Sequence, residues 1–148
     1  AIVIPLGYDN IHLYGNGVKI AGYVEMYSVF TNNADNVIID GFNIVNNSIN
    51  YSSGLSNSGT NCTITGNTCS SIHYGLYNSG TNCTIIGNTC SGEYNYGLYN
   101  SSTSTTDKCI IIGNICLNGG ISVKSGTCLP AIQGAMADVN TGTITIRP

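Results

Sequence analysis

Between residues 54 and 96 the chain states one pattern twice. GLSNSGTNCTITGNTCSSIHY is followed at once by GLYNSGTNCTIIGNTCSGEYNY, and a third copy opens with GLYNS. Cys62 and Cys83 lie 21 residues apart, as do Gly66 and Gly87, and Gly97 follows Gly75 by 22. A unit this short cannot bury a core alone, so its copies must stack on one another as a solenoid. Within each copy apolar and polar residues alternate: Cys62 and Ile64 against Thr63 and Thr65, then Gly66-Asn67, then Cys69. A period of two signals a strand, and Gly-Asn signals a turn in which both residues tolerate left-handed angles. No segment carries a 3.6-residue stripe, which argues against helical repeats. Three short strands per copy, separated by turns, make one coil of a parallel β-helix.

These repeats resemble the right-handed parallel β-helix of the pectate-lyase-like superfamily, which occurs in sugar-active enzymes, phage spikes and microbial surface proteins. The resemblance covers almost the whole chain and implies a fold, not a function. Residues 3–11 align without a gap on 29–37, and both align on 54–62. Coils therefore start near Val3, Val29, Gly54, Gly75, Gly97 and Gly120. The expected architecture is all-β: one domain over residues 1–148, about five to six coils of 21–26 residues, with uncapped ends. Longer coils place their extra residues in turns, on one flank.

Stacked coils make columns. One inward column reads Ile4, Phe30, Leu55, Leu76, Leu98, Ile121, and another Leu13, Ile39, Ile64, Ile85, Ile111. Two asparagine columns accompany them: Asn10, Asn36, Asn61, Asn82, and Asn16, Asn67, Asn88, Asn114. Stacked amides can hydrogen-bond along the axis, so both are expected to be structural ladders.

Six cysteines form three C-x6-C pairs across the Gly-Asn turn: Cys62 with Cys69, Cys83 with Cys90, and Cys109 with Cys116. Zinc sites favour closer local spacings and no histidine joins the pattern, so no metal and no cofactor is expected. The preferred reading is a disulfide within each coil, which implies an oxidising, extracellular setting. The alternative is that the cysteines replace Ile11, Val37, Val18 and Ile44 as small buried hydrophobes. The seventh, Cys128, faces Ala135 where a partner would stand and is a candidate intersubunit thiol.

Only 7% of residues are charged and the net charge is −3, with Arg147 the one arginine. That balance argues against nucleic acid or an anionic membrane as partner, and no apolar run is long enough to span a bilayer. Among the carboxylates, Asp9 and Asp35 take equivalent places one coil apart, about 5 Å from each other, near the separation of a retaining glycosidase. They are the best catalytic candidates available, yet an Asp before Asn is ordinarily a turn former, and Thr60 and Thr81 take the same place later. An enzyme is therefore not expected. Tyr77 and Tyr99, preceded by Tyr74 and Tyr96, form an outward strip that suits sugar rings or a neighbouring subunit. Of the glycosylation sequons, Asn46, Asn50 and Asn100 fall at turns and are expected to be open to glycans, unlike Asn61 and Asn82.

Strand-like segments at both ends, with Ile2, Ile4 and Leu6 at one and Ile144 and Ile146 at the other, have no helix or polar coil beside them to cover the core. The expected function is structural: an extracellular subunit that joins copies of itself end to end into a surface layer, sheath, tube or filament, in the style of the Asn-rich β-helix surface proteins of archaea. The alternative is a carbohydrate-binding or carbohydrate-cleaving module of a larger surface protein.

Overall fold

The computed structural model describes residues 1–23, 27–101, 109–118 and 120–123, with two further strands at 132–133 and 144–146. The described residues contain strands and turns and no helix. The first three triplets are β1 (Ile2–Ile4), β2 (His12–Tyr14), β3 (Lys19–Gly22); β4 (Phe30–Asn32), β5 (Ile38–Asp40), β6 (Asn43–Asn46); and β7 (Ser53–Asn57), β8 (Thr63–Thr65), β9 (Thr68–Ser71). Then come β10 (Tyr74–Asn78), β11 (Thr84–Ile86), β12 (Thr89–Gly92); β13 (Tyr96–Asn100), β14 (Ile110–Ile112), β15 (Ile115–Asn118); and finally β16 (Ile121–Val123), β17 (Ile132–Gln133) and β18 (Ile144–Ile146). The first sheet runs β1-β4-β7-β10-β13-β16-β18, the second β2-β5-β8-β11-β14-β17 and the third β3-β6-β9-β12-β15. Every pairing is parallel, so the molecule is a parallel β-solenoid.

The alternation seen in the sequence sets which side chains enter. In β8, Ile64 is buried while Thr63 and Thr65 are half-buried on the outer face. The corner to the third sheet is two residues long, and its work is divided. Gly66 takes the left-handed angle (φ 62°), as Gly41, Gly87 and Gly113 do in their coils, while Asn67 turns inward and is buried. Of the two residues that tolerate left-handed angles, only the glycine adopts one at this corner.

The column Leu13-Ile39-Ile64-Ile85-Ile111 forms as expected, and Ile39, Ile64, Ile85 and Ile111 are fully buried. Each such side chain contributes about 1.5–3 kcal/mol on burial. The other column needs a correction in its first member. Ile2, not Ile4, pairs with Phe30, and Ile4 pairs with Asn32. The gapless alignment fails because the first coil takes six residues (5–10) to reach the corner asparagine, where the second takes four (33–36). Leu6 consequently lies in that corner, outside β1 and exposed, and is no part of an edge strand.

Candidate functional site

A closely bonded column of buried asparagines stands outside the two ladders expected. Asn32, Asn57, Asn78 and Asn100 close the strands of the first sheet in register, all fully buried. Asn32 Nδ2 donates to Asn57 Oδ1 at 2.7 Å, Asn57 Nδ2 to Asn78 Oδ1 at 2.7 Å, and Asn78 Nδ2 to Asn100 Oδ1 at 2.6 Å. A second proton on each donor reaches the carbonyl two residues on, at Ala34, Gly59 and Gly80. Buried amides bonded at both ends stabilise; left half-bonded they cost the full desolvation of the unpaired group. The signal was in plain view, in the recurrence of Asn57, Asn78 and Asn100 at the repeat spacing.

Of the two ladders expected, one forms inside. Asn67 donates to Asn88 at 3.1 Å and Asn88 to Asn114 at 3.0 Å, and their amides also reach the carbonyls of Ile39, Ile64 and Ile85. Asn16 does not join it; it is exposed, and Phe42 holds the place one coil later, its N–H donating to Asn67 Oδ1. The other column, Asn10, Asn36, Asn61 and Asn82, lies on the outside in left-handed conformation. Its members turn corners, and Asn61 donates to Asn36 at 3.3 Å.

The expectation for the sequons is thereby reversed. Asn46 and Asn100 are buried within hydrogen-bond networks, so neither offers its amide to a glycan, whereas Asn61 and Asn82 are exposed and Asn50 is half-buried.

The three disulfides expected within coils are not formed: Cys62, Cys69, Cys83, Cys90, Cys109 and Cys116 stand as thiols. The reason is geometric. The two members of each C-x6-C pair line different walls of the core, and each sulfur meets its equivalents in neighbouring coils instead. Cys69, Cys90 and Cys116 are in register on the third sheet. Cys62, Cys83 and Cys109 stack at the entry to the second, where their sulfurs donate to the carbonyls of Ala34, Gly59 and Gly80 and lie 3.3, 3.4 and 3.7 Å from Asn32, Asn57 and Asn78 Nδ2.

Cys62 stands apart from its neighbours in acidity. Hydrogen bonding from the Cys83 thiol, opposed by burial and helped by Val37 and Asn32, brings Cys62 down to about 7. Cys83 is pulled down by the Cys109 thiol, but its bond to Cys62 and its burial outweigh this and carry it to about 12. Burial pushes Cys69 up to about 12, and the bond with Cys116 and burial raise Cys90. Cys128 lies outside the described residues. Among the described residues, no three of His, Cys, Asp or Glu are gathered so as to hold a metal ion.

Asp9 and Asp35 do stack, but each carboxylate is spent on the next coil. Asp9 Oδ1 accepts from the Asp35 amide at 2.8 Å and Asp35 Oδ1 from the Thr60 amide at 2.7 Å. They act as the turn formers their position before asparagine implies.

Two surfaces remain. On the outer face of the first sheet, Tyr74 and Tyr96 stack with ring centres 6.4 Å apart, Tyr96 and Tyr99 at 5.6 Å, and Tyr74 and Tyr99 at 5.2 Å. Beside them a shallow hollow of about 230 Å³ is lined by Tyr27, Tyr51, Ser53, Ser56, Tyr74 and Tyr77. At the end formed by β1, β2 and β3, Ile2, Val3, Tyr14 and Val18 are exposed and Leu13 and Ile20 only half-buried, where Phe30, Ile39 and Ile44 one coil in are sealed. The chain matches no family model, no curated protein and no solved structure.

Proposed function

We propose that this chain is a structural β-solenoid subunit that joins copies of itself end to end in an extracellular layer, sheath, tube or filament. The observation that carries this reading is that, among the described strands, β1 and β18 stand at the two ends of the first sheet and run in the same direction. A head-to-tail copy sets β18 of one protomer beside β1 of the next, parallel like every other pair, and so continues the sheet. The contact is heterologous, so it propagates rather than closing as a pair. The half-covered Leu13 and Ile20 gain the cover that Ile39 and Ile44 already have.

Electron microscopy and sedimentation of the full chain over a range of concentrations test it. Rods that lengthen with concentration are expected. Val3→Pro, which removes a backbone donor from β1 while the circular dichroism stays unchanged, should shorten them. Particles of one length at all concentrations would end the proposal.

The tyrosine face favours a second reading, binding of a neutral polysaccharide, since stacked phenols beside serine hydroxyls suit pyranose rings. Affinity electrophoresis through neutral polysaccharide gels, with Tyr77→Ala and Tyr99→Ala as controls, tests it. Retardation lost in both variants supports it, and equal migration with and without the polysaccharide excludes it.

A further inference from the structure

The tyrosine face changes character between β10 and β7. Tyr96, Tyr74 and Ser53 are partners in register across the first sheet, and so are Tyr99, Tyr77 and Ser56, so two columns of phenol rings each end on a serine. Where the rings stop, the hollow of about 230 Å³ opens, and Tyr27 and Tyr51, in the turns that lead into β4 and β7, also line it. Three of its four rings are held in place. Tyr74 stacks on Tyr96 and Tyr99. Tyr77 accepts a hydrogen bond from Ser101 Oγ at 2.8 Å and lies 5.7 Å from Tyr74, tilted by 45°. Tyr51 stacks on His73 with ring centres 4.2 Å apart. Walls ordered before a ligand arrives lower the cost of binding it.

We propose that this hollow is an aromatic cage for a quaternary ammonium head group, a trimethylammonium of the choline or betaine kind, seated against Tyr74 and Tyr77 and flanked by Tyr27 and Tyr51. The described residues that line it are tyrosines and serines, with no carboxylate, amide or basic side chain among them. The face of an aromatic ring is electron-rich and attracts a cation within about 6 Å of its centre, and a cation without N–H groups asks no acceptor of the walls. Burial and the neighbouring phenols raise Tyr74 above the ordinary phenol range, so this ring stays neutral and acts through its face. Ordinary small-molecule pockets hold about 300–1,000 Å³, so the smaller hollow suits a head group and not a whole cofactor. No basic side chain opposes the cation from nearby. Among the described residues Lys19 is the only lysine or arginine and it stands on β3, in the third sheet, while the chain carries a net charge of −3. The proposal rests neither on end-to-end assembly nor on sugar binding by the flat stack of Tyr74, Tyr96 and Tyr99.

The test follows the ligand's methyl protons by NMR as the full chain is added, because methyl groups seated on ring faces move upfield. Tetramethylammonium and choline should show a saturable upfield shift. The uncharged isostere of choline, 3,3-dimethylbutan-1-ol, should bind more than about tenfold more weakly. Ser56→Tyr, which carries the Tyr77 column on into the hollow, should abolish the shift while the circular dichroism matches the parent. Tyr51→Phe should bind as the parent does, and Tyr51→Leu about fivefold more weakly, since only the first keeps a ring. Tyr14→Leu, exposed on β2 in the second sheet, should leave binding unchanged. Vesicles of phosphatidylcholine separate the sources of the head group: co-sedimentation that free choline reverses supports a cage for a lipid, and choline binding without co-sedimentation supports a cage for a small solute. Equal affinity for 3,3-dimethylbutan-1-ol, full binding by Tyr51→Leu or Ser56→Tyr, or no saturable shift with choline would each overturn the proposal. Glucose binding that Ser56→Tyr removes, with none for choline, would overturn it too and give the hollow to the sugar reading.

Discussion

Replacing Asn57 by alanine separates the inner amide ladder from every other asparagine column. The change removes the acceptor that Asn32 Nδ2 meets at 2.7 Å and the donor that Asn78 Oδ1 meets at 2.7 Å, together with a donor to the Gly59 carbonyl at 3.2 Å. All three asparagines are fully buried, so water cannot replace what is lost. A buried polar group left short of a partner costs about 1–3 kcal/mol, and two such losses with a small void add to roughly 3–5 kcal/mol. Asn61, four residues on, is the control. It is exposed, left-handed at φ 56° and holds one 3.3 Å bond, so Asn61→Gly keeps the turn and should change stability by less than about 1 kcal/mol. In urea denaturation followed by far-ultraviolet circular dichroism, with a slope of about 2 kcal/mol/M, the first variant should lose about 1.5–2.5 M of midpoint and the second under about 0.5 M. Equal shifts for the two would refute the claim that the inner ladder, and not the outer column, holds the coils together.

Three further outcomes follow from the packing. A Cβ built on Gly59 runs into the Ala34 carbonyl oxygen, so Gly59→Ala must force two coils apart and should cost about 3 kcal/mol or more, whereas Gly87, with open space around it, bears alanine at about the 1–2 kcal/mol cost of a left-handed residue. Leu76→Ala, in the sealed column between Leu55 and Leu98, should cost about 2–5 kcal/mol by the same denaturation assay. Because burial raises Cys69 to about 12, its stabilisation is complete below the ordinary thiol range near 9 and is lost as pH rises from there toward 12; the slope is about 1.4 kcal/mol per pH unit, and midpoints at successive alkaline pH values should fall less steeply in Cys69→Ile than in the parent. A parallel fall in both would show that Cys69 ionises as freely folded as unfolded.

The middle of each strand was legible because two rules agree there. Repeat phase names the equivalent residues and alternation names the face, so Ile39, Ile64, Ile85 and Ile111 could be placed inside from their letters alone. Repeat phase by itself was less reliable where a coil departs from the common length. The first coil has two extra residues at its corner, and a gapless alignment put Ile4 where Ile2 belongs. Apolar residues at both positions hid the slip.

Corners were illegible for a different reason: alternation stops where the backbone leaves the extended region. Asn57 and Asn61 flank one corner, each recurs at the repeat spacing, and composition does not distinguish them. Backbone angle does, since a left-handed asparagine carries its side chain outward, as at Asn61, while one that ends a strand on an inward position keeps it in the core, as at Asn57. The same ambiguity reversed the sequon assignment, where turn position was read as exposure although Asn46 and Asn100 both end strands. It also governs the cysteines. A C-x6-C spacing across a two-residue corner looks like a pair, yet the corner sends its members to different walls. The distance that matters is the strand spacing to the next coil, which no local motif contains. In a solenoid the chemistry between side chains runs along the axis, so a residue's partner is sought one repeat away before it is sought nearby in sequence.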